Sequence, residues 1–483
     1  MSNSSRLWKI IKLGMRCLRM TLSGRREELA GTVYVGLREL GGVYIKFLQL
    51  LVVHSEAFRS LADYDMYDVY DQAVYDDIDI EKLLWSELGE KATEIRLVSS
   101  RPFAAGSFGQ VYRASYQEQD IIVKVLRPSV QRHLSFDLRL ISGLSRLIDL
   151  VSADSAVSAR RVCKDLIRVT RAETDYILEA DYAATMYKRY QNHPNLVIPF
   201  TFREISTNHL ICQEYVGGVS ASNLLRLQDQ GVDVRHYIQE MTGSDLAVQM
   251  IAFGTELLLS AFAYGTTYGD PHPGNIKFLP HNKVALIDYG LQATSPKNLP
   301  AFQRLVEQYR NVYNGQPDIS AYSRALLDVY GGDVIDAVRA LESQLRNSSV
   351  VVDAIVQGAE QLLDAGDPNT RRLLEDNRLS YLFNNVLNKN NRFCLQYDVD
   401  GAEFIRASVL FTKLTRLFGM NQEVMQPTYN TVAELIRGRT FVSQKDVLHP
   451  EAALEIIAGW LDQVSLKNPY LHQQIIRGEL THA

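Results

Sequence analysis

The chain of 483 residues has the composition of a folded globular protein, with 46% hydrophobic and 22% charged residues, and its length suits roughly three domains. Its 29 glycines and 14 prolines are fewer than an average composition would give, which favours a helix-rich protein. The 4 cysteines form no CxxC pair, which argues against a zinc ribbon or a disulfide scaffold and suits a reducing compartment. The net charge of −5 predicts no nucleic-acid partner, and no uninterrupted apolar run is long enough for a membrane span.

Residues 1–26 are strongly basic, with no acidic residue among them. On a helix, an apolar stripe would lie beside a basic stripe, which is typical of helices that rest on an anionic membrane surface. The alternative is a terminal helix that docks on the protein's own surface. We therefore expect a basic amphipathic helix over residues 1–27 and a cytoplasmic protein with peripheral membrane contact, while the composition is also compatible with an organelle address. The apolar stripe comprises Leu7, Ile11, Met15, Leu18 and Leu22, and the basic stripe comprises Lys9, Lys12, Arg16 and Arg19.

Residues 28–95 are predicted to be an N-terminal helical extension. A helix over residues 28–53 has a possible interruption at Gly41-Gly42, and an acidic segment with interleaved tyrosines covers residues 56–90. The acidic segment is interpreted as a solvated face, with a binding site for a basic partner as the alternative.

A glycine-rich turn and a lone lysine come next. Gly106-Ser107-Phe108-Gly109 lies between β-prone ends, and its glycines would let backbone N–H groups approach phosphate oxygens. Lys124 stands alone in an apolar strand, where it must either extend its ammonium group to solvent or meet a carboxylate and an anion. Further β-like runs are expected at Leu196–Arg203, His209–Val216 and Lys283–Ile287.

Two acidic loops complete the pattern. In the segment Asp270-Pro271-His272-Pro273-Gly274-Asn275, the acid can accept or orient the acceptor's hydroxyl proton and the amide oxygen can bind Mg²⁺. Asp288, which follows a buried strand and precedes Tyr289-Gly290, is the second predicted metal ligand. The order of loop, lysine, Asp-x4-Asn and Asp-Tyr-Gly matches the signature set of protein kinases.

This order predicts an α+β, protein-kinase-like bilobal fold with a small β-rich N-lobe and a helical C-lobe. We expect the N-lobe over residues 96–218, the C-lobe with the catalytic and metal loops over residues 219–300, and a helical C-terminal region over residues 301–483. The predicted cofactors are ATP and Mg²⁺.

The sequence resembles the UbiB-like (AarF-domain) atypical kinases, a family linked to ubiquinone biosynthesis. The Asp-Pro-His-Pro-Gly-Asn loop of that family stands unchanged at 270–275, and its Ala-rich nucleotide loop is similar to Ala104–Val111. Its Lys-x-Gly-Gln motif resembles Lys46–Gln49, and its Glu-x-Asp motif resembles Glu173–Asp175, followed by Glu179.

The resemblance implies a role for each of these residues. Asp270, Lys124 and Glu179 would be catalytic, with Glu179 holding Lys124 against the phosphates, and Asn275 and Asp288 would bind the metal. Lys46 would reach into the pocket and face Glu173 and Asp175, although residues two apart on a helix point in different directions unless the helix ends there. The predicted nucleotide-binding set is Ala104, Ala105, Gly106, Ser107, Gly109, Val111, Lys124, Glu214, Val216, Lys46, Gln49, Glu173 and Asp175.

The chain also departs from the family pattern. Leu48 replaces the glycine of Lys-x-Gly-Gln, and Gly106 replaces the last alanine of the nucleotide loop. The chain becomes helical again by about Leu299, with no Ala-Pro-Glu sequence, so an extended peptide substrate has little platform.

We therefore expect an ATP-dependent phosphotransferase or ATPase that acts on a small or lipid-like substrate, or supports ubiquinone or lipid metabolism at a membrane surface. Two alternatives are a small-molecule phosphotransferase of the aminoglycoside or choline kinase type and a nucleotide-binding pseudokinase scaffold.

Overall fold

The computed structural model describes residues 3–23, 29–40, 43–44, 47–48, 76–106, 108–151, 159–341, 350–375, 387, 393–395, 402–445 and 448–477. The chain divides into two compact units. The first unit comprises Met1–Ala153, Ser158–Gly218 and Ala285–Leu291, and the second comprises Asp154–Val157, Val219–Val284 and Gln292–Ala483.

A five-stranded antiparallel sheet forms the centre of the first unit. Its strand order is β1-β3-β4-β6, and β2 pairs with β3. Ile121, Val123 and Val125 alternate along β4 and are fully buried, so Lys124 lies on the opposite face of the sheet from this β-branched core. The strands of this unit are β1 Ile95–Leu97, β2 Ala104–Ala105, β3 Gly109–Tyr116, β4 Gln119–Leu126, β5 Leu196–Val197 and β6 Leu210–Glu214.

Helices surround this sheet. Asp79 caps the N-terminus of α3 by accepting a hydrogen bond from the Lys82 backbone N–H. Asp175 caps α6 in the same way, through the Leu178 backbone N–H. The helices are α1 Asn3–Leu22, α2 Leu29–Leu40, α3 Ile80–Leu88, α4 Pro128–Val151, α5 Ala159–Glu173 and α6 Tyr176–Tyr190.

The second unit is mainly helical and also contains short paired strands. Strand β7 (Val219–Ser220) pairs antiparallel with β9 (Ile276–Leu279), and β8 (Thr266–Tyr268) pairs antiparallel with β11 (Gln292–Thr294). The helices are α7 Ala221–Asp229, α8 Val234–Thr242, α9 Leu246–Tyr264, α10 Leu299–Tyr313, α11 Ile319–Tyr330, α12 Gly332–Leu341, α13 Val350–Leu362, α14 Pro368–Glu375, α15 Ala402–Leu417, α16 Asn421–Ile436, α17 Pro450–Lys467 and α18 Pro469–Arg477.

The α+β kinase-like fold expected from the sequence is confirmed, but several elements are shorter than predicted. The run Leu196–Arg203 contains only the two-residue strand β5, because Pro199 has no N–H to donate to a ladder and a 3-10 turn begins at Arg203. Strand β6 covers Leu210–Glu214, and β10 covers Lys283–Leu286. The predicted helix over 28–53 is not among the shortened elements: α2 ends at Leu40, directly before Gly41-Gly42, and residues 43–44 and 47–48 are helical as well. The other residues of 41–53 and the acidic, tyrosine-containing stretch 56–75 lie outside the described residues.

Helix α9 is apolar and long enough to cross a membrane by length and composition, and it is the one such helix in the described part of the chain. However, 61% of its most apolar window is buried inside the structure. A core helix of a globular unit has the same character, so α9 is weak evidence for a membrane span.

Candidate functional site

The glycine-rich turn joins β2 to β3. Ala104 pairs with Val111 and Ala105 with Gln110, and the Gly106 N–H donates to the Gly109 carbonyl over 2.8 Å. Ser107 lies outside the described residues. A Cβ on Gly109 would fall 2.5 Å from the Tyr176 hydroxyl oxygen, so glycine is required there by a close approach.

Lys124 on β4 lies in a cluster with two carboxylates. Its Nζ contacts Glu179 Oε1 and Oε2 at 2.9 and 3.0 Å, and Asp288 Oδ2 at 3.2 Å. Glu179 comes from the first turn of α6, where only 1% of its side chain is exposed, whereas 33% of the Asp288 side chain remains exposed. The sheet, α6 and the segment after β10 together fix this cluster.

Burial and charge act in opposite directions within this cluster. Burial alone would lower the pKa of Lys124, but the carboxylates of Asp288 and Glu179 raise it well above its usual value. Burial raises the pKa of Glu179 to about 7, while the charge of Lys124 opposes that rise. The lysine is therefore held as a cation, as a group that binds phosphate oxygens must be.

The Asp-Tyr-Gly segment is held by its own hydrogen bonds. The Gly290 N–H donates to Asp288 Oδ1 over 3.0 Å, and the Tyr289 hydroxyl donates to the Leu286 carbonyl over 2.8 Å. Tyr289 packs edge-on against Tyr182, with ring centroids 5.7 Å apart. Asp288 is thereby fixed, and part of its carboxylate remains open to a cation.

The Glu-x-Asp motif spans a break between two helices. Glu173 is the last residue of α5, and Asp175 is the exposed N-cap of α6. A Cβ on Gly290 would lie 3.4 Å from Glu173 Cγ, so Glu173 packs beside the Asp-Tyr-Gly segment. The two acidic residues therefore serve different partners within the first unit. Lys46 and Gln49 lie outside the described residues, and the intervening Leu48 is 1% exposed.

Strand β3 and the end of β6 supply the remaining predicted nucleotide-binding residues. Val111 pairs with Lys124 across β3 and β4. Glu214 ends β6, pairs with Ile121 and accepts a hydrogen bond from the Phe200 N–H through its side chain at 3.1 Å. Val216 follows two residues later, directly before the Gly217-Gly218 pair.

In the second unit, the loop after β8 carries Asp270 and Asn275. The Asn275 amide nitrogen donates to the carbonyl oxygen of Asp270 at 3.2 Å and to its carboxylate Oδ2 at 3.3 Å. The Gly274 N–H donates to His272 Nδ1 over 3.1 Å, which closes a tight 3-10 turn at Pro273–Asn275. Because the Asn275 nitrogen faces Asp270, its amide oxygen is the atom left to meet a cation.

One contact of this loop was missed from the sequence. Arg406 on α15 donates to Asp270 Oδ1 over 2.6 Å, and the two side chains are 7% and 16% exposed. The one available signal was an arginine within the apolar run Phe404-Ile405-Arg406-Ala407.

Asp76 was also missed. It accepts hydrogen bonds at 2.8 Å from both the N–H and the hydroxyl of Ser129, and it contacts Arg127 at 3.3 Å. Burial would raise the pKa of Asp76, but these hydrogen bonds and the Arg127 charge lower it. Gln110 Nε2 donates to the Asp76 carbonyl at 3.2 Å, so the segment before α3 is fastened to the strand of the glycine-rich turn.

No group of three or more His, Cys, Asp or Glu side chains suited to a metal ion occurs within the described ranges. A kinase-type site does not require such a group, because Mg²⁺ takes one or two protein oxygens and completes its shell with phosphates and water. Asp288 of the first unit and Asn275 of the second unit each carry an oxygen of the kind that Mg²⁺ binds.

Comparison with known proteins relates the chain to atypical kinases. The profile of the ABC1 atypical kinase-like domain matches residues 69–314, more than half of the chain. One relative is the chloroplastic protein of Arabidopsis thaliana named "ACTIVITY OF BC1 COMPLEX KINASE 3". The chain is 28% identical to it over 202 residues, which cover 41% of this chain and 27% of that protein. It is 22% identical over 410 residues to an uncharacterized chloroplastic aarF domain-containing protein kinase of the same plant, covering 82% and 73%.

The chain spans less than half the length of several curated relatives that it matches. Among solved structures, the complex of Rv3197 with erythromycin from Mycobacterium tuberculosis is 22% identical with a TM-score of 0.41, covering 61% of this chain and 72% of that one. The ROP18 kinase domain in complex with AMP-PNP and sucrose is 14% identical with a TM-score of 0.22, covering 51% and 66%.

Proposed function

Because the chain belongs to the ABC1 atypical kinase-like family, we propose that it binds ATP with Mg²⁺ and transfers the γ-phosphoryl group to a small or lipid-like acceptor, or to water. The observation that carries this proposal is the cluster in which Lys124 Nζ lies 2.9 Å from Glu179 and 3.2 Å from Asp288. In a kinase, the corresponding lysine, glutamate and Asp-x-Gly aspartate hold the phosphates and the metal.

Each residue would have one task. Lys124 would contact phosphate oxygens, and Glu179, buried beside it, would keep its ammonium group in place. Asp288 and Asn275 would offer one oxygen each to Mg²⁺, which supplies neutralising charge on the phosphates when bound. Asp270 would orient the hydroxyl or water that accepts the phosphoryl group.

The short connection after Asp-Tyr-Gly supports a small acceptor. Strand β11 begins at Gln292 and α10 at Leu299, so fewer than ten residues separate Gly290 from the next helix. An activation segment that could hold an extended peptide does not fit in this interval. The resemblance to UbiB-like proteins supports a role in ubiquinone or other lipid metabolism.

A Mg²⁺-dependent nucleotide-binding assay tests this proposal. We expect Lys124→Ala and Asp288→Asn each to lower ATP affinity by about 10- to 100-fold, because a hydrogen bond between charged groups contributes about 1.5–3 kcal/mol. Lys82→Ala, which removes an exposed lysine of α3, is the matched control and should bind like the wild type. Unchanged binding by both site variants would refute the proposal.

We also propose that α1 contacts an anionic membrane surface, which would bring the site to a lipid-like substrate. One side of α1 docks on the protein, since Ile10 is 5% exposed and Arg6 forms an ion pair with Asp137. Apolar residues on another side remain exposed near the basic stripe, a combination that suits anionic lipid headgroups. These residues are Leu7, Trp8, Ile11 and Met15, which are 38%, 62%, 48% and 55% exposed.

Flotation of the full chain with vesicles tests this contact. We expect the wild type to float with phosphatidylserine-containing vesicles and the variant Trp8→Gln/Met15→Gln to lose most of that binding. Val442→Gln, which changes a 77% exposed valine elsewhere, is the control. Equal flotation of all three proteins would remove α1 as the membrane contact.

The chloroplastic descriptions of the Arabidopsis relatives also make an organelle address part of the proposal. Imaging of the tagged chain would test that address.

A further inference from the structure

The carboxylate of Asp270 is held from two sides within the second unit. Arg406 donates to Oδ1 at 2.6 Å, and the Asn275 amide donates to Oδ2 at 3.3 Å. Asn275 belongs to the same loop as Asp270, but Arg406 lies on α15, 136 residues further along the chain. A distant helix therefore supplies the charged partner of the proposed acceptor-orienting group.

The position of Arg406 is fixed by the packing of α15. Phe404 packs edge-on against Phe302 of α10, with ring centroids 5.0 Å apart, and Phe411 packs against Phe253 of α9 at 5.3 Å. A Cβ on Gly254 would lie 2.4 Å from the Phe411 ring, so α15 approaches α9 as closely as a glycine permits. This packing leaves the guanidinium group little freedom to move away from Asp270.

The chemistry of the pair suits phosphoryl transfer. An arginine side chain stays protonated and presents its donors in a rigid plane, and its charge favours the ionised form of a neighbouring carboxylate. A carboxylate held ionised and aimed in this way orients an acceptor hydroxyl through a hydrogen bond. Because the transition state of phosphoryl transfer is loose, orientation contributes more than early removal of the proton.

A purely structural role is a weaker explanation for this pair. Replacing a buried ion pair by apolar side chains of similar volume often leaves stability unchanged or improves it. Stability alone therefore does not require an arginine among Phe404, Ile405 and Ala407, whereas fixing the charge and direction of the Asp270 carboxylate does.

We propose that Arg406 is a positioning residue for Asp270, so that α15, a helix of the C-terminal helical region over residues 301–483, takes part in catalysis. This inference rests on the proposed function. Arg406 would act through Asp270 rather than through nucleotide binding. Its loss should lower kcat for MgATP and leave KM for MgATP nearly unchanged, because Lys124 and the glycine-rich turn belong to the first unit.

The test measures steady-state ADP formation from MgATP by the full chain, with four variants. We expect Arg406→Met to lower kcat by about 100-fold, comparable to the loss of one transition-state donor, with KM within threefold of the wild type. Arg406→Lys, which keeps the positive charge but lacks the planar guanidinium group, should recover part of kcat. The double variant Arg406→Met/Asp270→Asn should be no slower than Asp270→Asn alone, because residues that act as a unit are not additive.

Arg339→Met is the matched control, since Arg339 forms a partly buried ion pair with Asp328 at 2.8 Å in the same unit. It should keep both kinetic constants. An active wild type together with unchanged kcat in Arg406→Met would overturn the role of Arg406 alone, and so would an equal loss of kcat in Arg406→Met and Arg339→Met. Absence of MgATP turnover by the wild type would instead overturn the proposed function, and the role of Arg406 with it.

Discussion

The glycine at position 109 supports the sharpest structural prediction. An added Cβ would lie 2.5 Å from the Tyr176 hydroxyl oxygen, 3.3 Å from the Val125 carbonyl oxygen and 3.4 Å from Lys124 Cγ. An added Cβ on Gly106, three residues earlier, would meet no atom of the described residues within 4 Å. Gly109→Ala should therefore strain the site, whereas Gly106→Ala should not.

The expected cost follows from two opposing effects. Overpacking a filled site costs about 1–3 kcal/mol, and replacing a glycine inside a strand by alanine returns about 0.5–1 kcal/mol. The net destabilisation of Gly109→Ala is then about 0–2.5 kcal/mol, with a midpoint of about 1.3 kcal/mol. That midpoint changes an opening equilibrium by about 8-fold.

Tyr176→Phe should relieve the strain. Among the residues that the structure describes, the Tyr176 hydroxyl has no hydrogen-bond partner, and the side chain is fully buried. Removing that oxygen should cost little by itself, because a buried unsatisfied polar group stabilises nothing. The double variant Gly109→Ala/Tyr176→Phe should therefore be more stable than Gly109→Ala.

The assay is alkylation of the Cys212 thiol under native conditions, measured on its peptide by mass spectrometry. Cys212 is fully buried in β6 and pairs with Val123 of β4, so its labelling reports the opening of this sheet. Labelling should be about 8-fold faster in Gly109→Ala, and close to wild-type in Gly106→Ala and in the double variant. Equal acceleration in Gly106→Ala, or no rescue by Tyr176→Phe, would refute the reasoning.

Three further predictions concern charge and packing. Because burial raises the pKa of Glu179 to about 7, ATP affinity should fall as the pH drops through 7, and Glu179→Gln should bind ATP with an affinity nearly independent of pH between 6 and 8. The pKa of Asp76 is lowered in the folded protein, so the stabilising contribution of its carboxylate is present at neutral pH and lost in acid. Asp76→Asn should therefore lower the melting temperature at pH 7 but much less at pH 3. Equal losses of melting temperature at both pH values would contradict this. Gly254→Ala should destabilise the second unit by about 1 kcal/mol, because overpacking costs about 1–3 kcal/mol and alanine inside a helix regains about 0.5–1 kcal/mol. Gly254→Ala/Phe411→Leu should recover stability in urea denaturation, since the leucine removes the ring that lies 2.4 Å from the added Cβ.

Local sequence patterns and the order of the motifs predict a large part of the first unit's structure. The β-branched run around Lys124 predicts a buried strand, and β4 covers that run, with Ile121, Val123 and Val125 buried. The family resemblance leads to the proximity of Lys124 and Glu179, which lie 2.9 Å apart; their roles toward a nucleotide stay predictions. Helix geometry left two alternatives for Glu173 and Asp175, a shared site at a helix end or different partners. The structure has a helix break there, with Glu173 ending α5 and Asp175 capping α6.

Long-range contacts were beyond the reach of sequence patterns. The pairs Arg406–Asp270 and Ser129–Asp76 are separated by 136 and 53 residues, and no local periodicity relates such positions. The predicted strand Leu196–Arg203 was too long because hydrophobicity outweighed the missing N–H of Pro199.

ADP formation from MgATP, measured for the full chain beside equilibrium ATP binding, tests the central proposal most directly. The proposal predicts Mg²⁺-dependent turnover by the wild type and at least a tenfold lower turnover by Asp270→Asn with ATP binding retained, since Asp270 acts on the acceptor. Wild-type protein that binds ATP without turning it over, or Asp270→Asn that is as active as the wild type, would contradict it.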